Sequence, residues 1–520
     1  MGDQQFDVIV VGLGPVGSFG ALLLAEEGLR VAAIERDPDV YALPRAVNLD
    51  GEIVRALQRI GRGDAVDALL QKVRPGERAG FANSRREWMF GADARDFGPH
   101  GWQPMNMFDQ PELEGWLRNE AVSHPNVTAF IGSEAAALAD HGDGVTVALR
   151  PAGDDASAET TTLSARWLIG CDGAASLTRR TLGIGWRSLG YDHDWLVVDV
   201  TIKDGHTLGV DTIQVCDPDR LATYVCTKDP YRRWEFRINA NETKDEMLDP
   251  ERIRQLIDPW TPRDTYEIRR AATYTFHAAN AERWREGNVF LAGDAAHQTP
   301  PFLGQGMNTG MRDVVNLAWK LALVQSGEAS VALLDSYESE RDPHAKDLVD
   351  WAVSIGRLME HLADVERAER DGLPAPEPPA ELRSAGYGQG RGQPPLRDGL
   401  LHGPQLDGER AGVLLRQPIV ATASGDELRL DELLGPGFAL VGRPDAELVL
   451  DEHALDLAER LGVRVVSLHG VDATRGHFDA LFDHTDAVLV RPDRVVFGVA
   501  DETASVSELL ADLHRQLRST

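Results

Sequence analysis

The chain has 520 residues, 42% of them hydrophobic, enough for two or three domains around a large buried core. A formal net charge of −30 excludes nucleic acid and anionic lipid as partners. No apolar run reaches the roughly 18 residues of a membrane span, and Cys171, Cys216 and Cys226 form neither a CxxC pair nor a metal-ligand spacing. The N-terminus enters an apolar stretch without a basic segment, so a reducing cytoplasm is the expected compartment.

In chain order, FDVIVV at 6–11 reads as a buried strand, SFGALLLAEEG as a helix stopped at Gly28, and VAAIE at 31–35 as a second strand. Together they make one βαβ unit. Between strand and helix lies GLGPVG, where Gly12, Gly14 and Gly17 match GxGxxG. Gly12 permits the tight turn, Gly14 lets a pyrophosphate approach the backbone, and Gly17 allows close packing of helix on strand. Glu35, ending the second strand, is placed to hold ribose hydroxyls. These features predict a dinucleotide bound over the turn, with its phosphates on the helix N-terminus. WLIGC at 167–171 is a further strand, followed by Asp172-Gly173, which read alone is a turn. WLVVDVTI, TIQVC, ATYVC and RRWEFRI are short strands of an inserted sheet. NVFLAG at 288–293 is strand-like and leads into GDAAHQTPPFLGQGMN, with a helix expected over 309–325. Residues 371–406 are dense in Pro and Gly and read as a linker. Beyond them, FALVG, VRVVSL, AVLV and RVVFGVA alternate with two helical patterns, the mark of a small separate α/β domain.

GxGxxG near the start, DG in the middle and GDAAH…P…GQGMN late resemble the flavin-dependent aromatic hydroxylases of the para-hydroxybenzoate hydroxylase type over about residues 5–350. Within that group the chain is similar to the phenol and 3-(3-hydroxyphenyl)propionate hydroxylase branch. The resemblance implies an α/β fold: a Rossmann-like FAD-binding domain in two pieces, 1–184 and 281–370, a substrate-binding β-sheet domain at 185–280, and a thioredoxin-like domain at 407–520. That last domain has no CxxC, so a structural or oligomer-contact role is expected there, a homodimer being one form of it.

The family's residues carry over onto matching positions. Around the first turn they are Gly12, Gly14, Pro15, Gly17, Glu35 and Arg36. Arg45 lies near the cofactor, and Gln110 and Arg118 lie on a helix beside the flavin. Asp172 is expected near the adenosine or pyrophosphate. Asp294 holds a flavin ribityl or ribose hydroxyl. In the loop after it, Pro300 and Pro301 give stiffness, Gly304 and Gly306 give close approach, Met307 and Asn308 lie beside the cofactor, and the helix after Asn308 turns its dipole to the reduced flavin. His297 is expected to be structural or to orient the cofactor. The chemistry implied is NADH or NADPH reducing FAD, O2 forming a flavin C4a-hydroperoxide, and an aromatic substrate attacking it in a dry pocket. The catalytic base is left open, with Tyr224, His193 and Arg233 as candidates and Tyr191 and His277 nearby. An epoxidase or Baeyer–Villiger enzyme of the same fold and a non-catalytic flavoprotein sensor are the alternatives. An NAD-only dehydrogenase does not explain GDAAH…GQGMN, and the WxWxIP stretch of flavin halogenases is absent from the sequence.

Overall fold

The structure, a computed structural model, describes residues 5–153, 159–379, 382, 393–403, 411–422 and 425–519. Of the linker expected at 371–406, residues 380–381, 383–392 and 404–406 lie outside the described residues.

The strand Phe6–Val11 is buried along its whole length, as an apolar run covered on both faces must be. It pairs in parallel with Val31–Glu35 on one side and with Thr161–Gly170 on the other. Thr161–Gly170 in turn pairs in parallel with Val289–Leu291. The register sets the site: Val11 lies opposite Gly170, and Gly170 opposite Leu291. The turns after these residues, at Gly12, Cys171-Asp172 and Gly293-Asp294, therefore leave three neighbouring strands at one level, on the carboxyl edge of the sheet. That edge is where open parallel sheets bind ligands.

A second eight-stranded sheet stands beside the first. Its spine is a pair of long antiparallel strands, Trp186–Ile202 and Tyr266–Ala281. At one end Asn280 pairs with His297, which ties this sheet to the GDAAH turn. Beyond the 185–280 segment, Arg78–Ala82 and Trp88–Asp93 add two strands at the far edge. One face of the sheet packs Leu196, Val198, Ala222, Tyr224, Trp234 and Phe236 against Met247, Ile253 and Ile257 of two short helices. On the other face Phe81, Tyr191 and Trp195 pack with Phe302 and with Val349, Val353 and Met359 of the helix Ser336–Arg370.

The C-terminal strands run in the order Arg464–Ser467, Ala439–Gly442, Ala487–Val490, Val496–Ala500. The first pair is parallel and the rest antiparallel, with helices at Glu452–Arg460 and Val506–Arg518. This is a thioredoxin-like layout with no thiol in it. It shares a core with the dinucleotide half: Trp319 meets Phe438 edge-on at 5.7 Å.

Candidate cofactor and substrate site

The first turn fits because it is glycine. Gly12 has φ +94°, and a Cβ there would lie 2.6 Å from the Cys171 carbonyl oxygen. A Cβ on Gly17 would lie 1.8 Å from the Gly12 oxygen. Gly14 differs: a Cβ there meets nothing within 4 Å, so the chain leaves open space where a phosphate would lie. The helix Pro15–Glu26 begins beside that space with no side-chain cap and no acidic residue in its first turn. Its first N–H groups have no intrahelical acceptor.

The helix in the GQGMN stretch repeats the arrangement. It spans Gly306–Ser326, three residues earlier than the sequence reading, because Gly304 at φ +61° closes the turn at Pro301–Leu303 and Gln305 becomes the N-cap. No side chain caps it, so the N–H groups of Gly306, Met307 and Asn308 face outward unpaired within the helix. The Asn308 side chain is spent elsewhere: its amide nitrogen donates to the Asn48 and Gly304 carbonyls, and its oxygen accepts from the Asp50 N–H at 2.9 Å. The Thr299 hydroxyl nearby is buried and, among the described residues, lacks a hydrogen-bond partner.

Asp294 is exposed, yet the protein crowding it raises its carboxyl above the ordinary range. His297 is fully buried, with Nε2 2.8 Å from Asp313. Asp313 also accepts from the Gly293 N–H and from Arg341, which makes it the hub that fixes this turn. Glu35 accepts from the Leu13 N–H at 2.6 Å and the Asp37 N–H at 2.9 Å. Arg118 lies between Glu35 and Glu114 at 3.9 and 3.8 Å. Arg36 points outward beside Asp37.

Asp172 turns its carboxylate into its own turn, accepting from the Ser176 hydroxyl and from the Thr178 N–H and hydroxyl. Its contribution to the cleft is therefore its backbone, which abuts Gly12. The Arg45 segment is clamped from two directions. Gln110 accepts from the N–H groups of Arg45 and Ala46, each at 2.7 Å. Arg233 donates to the Pro44 and Arg45 carbonyls, and Arg270 donates to Pro44. The Arg45 side chain itself is exposed over the Tyr41 ring at 4.6 Å.

Comparisons with known proteins bear directly on this cleft. Residues 5–352 match the family model described as FAD binding domain, and 412–516 match the HcaD C-terminal domain. The chain is 34% identical to a 3-(3-hydroxy-phenyl)propionate/3-hydroxycinnamic acid hydroxylase of Klebsiella pneumoniae, covering 95% of this chain and 91% of that one. It is also 34% identical to the enzyme of the same name from Mycolicibacterium smegmatis, covering 97% and 92%. The chain belongs to this family of FAD-dependent aromatic hydroxylases. Among solved structures, it resembles aklavinone-11 hydroxylase, solved with FAD and aklavinone, with a TM-score of 0.78, 27% identity and coverage of 99% and 100%. It shares its fold with the flavin-dependent monooxygenase PieE, with a TM-score of 0.79, 23% identity and the same coverage.

In this hydroxylase the base candidates occupy different settings. Tyr224 lies on the face of the sheet covered by the two short helices. Its ring packs on Trp234 and Trp260, its hydroxyl donates to the Gly209 carbonyl, and burial raises it well above its usual pKa. Arg233 is fully committed to Asp199, at 2.7 Å, and to the clamp on the Arg45 segment. His193 lies 2.9 Å from the Arg237 guanidinium. Burial, and then that cation, push its pKa down, with Glu360 opposing them in part. His277 pairs with Asp192 on the exposed rim. Tyr191 is buried against Phe302 with its hydroxyl lacking a partner among the described residues.

A separate cavity of ≈ 730 Å³ opens between helix Gly306–Ser326 and the C-terminal domain, lined in part by Glu52, His100, Arg312, His344, Val413 and Asp479. It lies apart from the turns at Gly12 and Gly293. Gly310 of that helix abuts Gly293, whereas Arg312 is roughly 200° further round the helix, held by Asp50 and Glu52.

Proposed function

We propose that the hydroxylase acts on a phenolic ring, drawing electrons from NADH or NADPH and oxygen from O2. The observation that carries this reading is the pairing of two uncapped helix N-termini with a dry aromatic wall. Phe302, Trp195 and Tyr191 form that wall, meeting edge to face at 5.4–5.6 Å. Phe81 joins the same cluster from the outer strand and is stacked on Phe90 at 4.8 Å. Bound FAD supplies the two-electron redox chemistry and the activation of O2. The chain supplies position, field and the exclusion of water.

In this reading the N–H groups after Gly14 take the pyrophosphate, Glu35 the ribose, and Asp294 the ribityl chain. The N–H groups of Gly306, Met307 and Asn308 stabilise negative charge on the ring by about 1 kcal/mol or more. The three cysteines are free thiols, in keeping with a reducing cytoplasm. No helix among the described residues is long and apolar enough to cross a membrane.

The test is coupled NAD(P)H and O2 consumption by the FAD-loaded enzyme with a panel of phenols. The panel starts with 3-(3-hydroxyphenyl)propionate and 3-hydroxycinnamate, and includes a polycyclic phenol of the aklavinone type. At least one should accelerate NAD(P)H oxidation and yield a hydroxylated product; equal rates with all and with none contradict the reading.

The clamp on residues 44–46 holds Arg45 at the cleft mouth while leaving its guanidinium free for an anionic dinucleotide. Arg45→Ala should slow flavin reduction by NAD(P)H about tenfold, the loss of one charge-assisted contact, in anaerobic stopped-flow traces. An unchanged reduction rate would remove Arg45 from the nicotinamide groove.

A further inference from the structure

The strand Tyr231–Arg237 alternates strictly. Trp234 and Phe236 face the helices, so Arg233, Glu235 and Arg237 face the flavin side. Register then builds a row across the sheet. Glu235 lies opposite Val197 on one side and Thr223 on the other. Thr223 lies opposite Gln214, and Gln214 opposite Phe81. The row is tied to the flavin loop: the Thr223 hydroxyl donates to Gln214 Oε1 at 2.6 Å, and Gln214 Nε2 donates to the Phe302 carbonyl at 3.3 Å.

Glu235 is the anomaly in this row. Its side chain is 6% exposed, and among the described residues it makes no hydrogen bond. The nearest cation, Arg233, stays 3.9 Å away and is already bidentate to Asp199. A buried carboxyl with neither a hydrogen bond nor a counter-ion of its own is costly, and such costs concentrate at functional sites. Burial pushes its pKa up to about 7, with Arg233 pulling it down in part and Asp199 raising it.

We propose that Glu235 is the group that takes the hydroxyl proton of the substrate, a ring phenol held against the Thr223–Gln214 pair. This rests on the phenol-hydroxylase reading above. In the step, the phenol O–H bond breaks, its electron pair stays on oxygen, and the proton moves to a Glu235 carboxylate oxygen. The phenolate enriches the ring ortho and para to the oxygen. Glu235 must be ionised to accept, so the rate falls as pH drops below about 7.

The test uses FAD-loaded wild type, Glu235→Gln and Glu235→Asp. Without substrate, infrared titration of the wild type should show a carboxylic-acid band that disappears as pH rises through about 7, and the Gln variant should lack it. With 3-(3-hydroxyphenyl)propionate, or whichever phenol the panel identifies, Glu235→Gln should lower kcat about a hundredfold. KM should change little, and the acid limb of the pH profile should vanish. Glu235→Asp should keep a shifted acid limb. A Gln variant that retains rate and acid limb while the wild type turns the phenol over overturns the proposal and spares the broader reading. If no phenol accelerates the wild type, the broader reading fails and the proposal falls with it.

Discussion

Gly17→Val weakens the binding of FAD. Its Cβ would overlap the Gly12 carbonyl oxygen and approach Cys171 Cβ to 3.1 Å, and the nearer neighbour is backbone that cannot swing aside. The turn must open, and the N–H groups behind Gly14 lose their aim. Overpacking of this kind costs about 1–3 kcal/mol or more, so FAD affinity falls by at least about tenfold in a fluorescence titration. Gly14→Val is the control. Its Cβ meets no protein atom within 4 Å, so thermal stability without FAD should match the wild type, while FAD affinity falls because the side chain fills phosphate space. Wild-type affinity in both variants would mean that the dinucleotide lies elsewhere.

Glu340→Gln destabilises the whole chain by about 3–5 kcal/mol, the cost of stranding a buried charge. Glu340 lies on the long helix Ser336–Arg370 and is fully buried with its partners. Arg491 grips it with two hydrogen bonds, at 3.0 and 2.8 Å, and Lys320 adds a third at 2.8 Å. Asp493 balances the charge from the other side of Arg491. These groups join the helix after the GQGMN loop to the C-terminal domain. The substitution removes one anion and leaves Lys320 and Arg491 facing each other across an amide. Arg491 and Lys320 hold the Glu340 carboxyl far below its ordinary range against the pull of burial. The stability it contributes is therefore present above the pKa of the unfolded carboxylate and is lost as pH falls through the depressed value. Urea unfolding at neutral pH should show the full loss, and the gap to wild type should close only in strong acid. A change below about 1 kcal/mol would mean that the domains do not depend on this cluster.

What the sequence disclosed was local. GLGPVG, DG and GDAAH carry their meaning within a few residues each, and the strand–turn–helix around Gly12 is readable from alternation and glycine alone. The level at which the three turns meet is not written locally; it follows from Val11, Gly170 and Leu291 lying in register. Asp313 is another case. Helical periodicity shows that it is on a helix, but not that it reaches back to Gly293 and His297. In sequence, Tyr224 is a phenol within the segment expected to bind substrate. Alternation with Thr223 could have placed it on the opposite face, but only once the helices covering that face were known. Glu235 was legible as one of three charged residues alternating with Trp234 and Phe236. A charged strand face normally reads as solvent-facing; here Glu235 is buried and Arg233 beside it reaches the carbonyls of residues 44 and 45, and nothing within seven residues of sequence says so.

The most direct test of the account is a crystal structure of the FAD-loaded chain. The pyrophosphate is expected over Gly14, the ring edge at the N-terminus of helix Gly306–Ser326, and the open face of the ring toward Phe302 and Glu235. A flavin in the ≈ 730 Å³ cavity against the C-terminal domain, with the space over Gly14 empty, would contradict it.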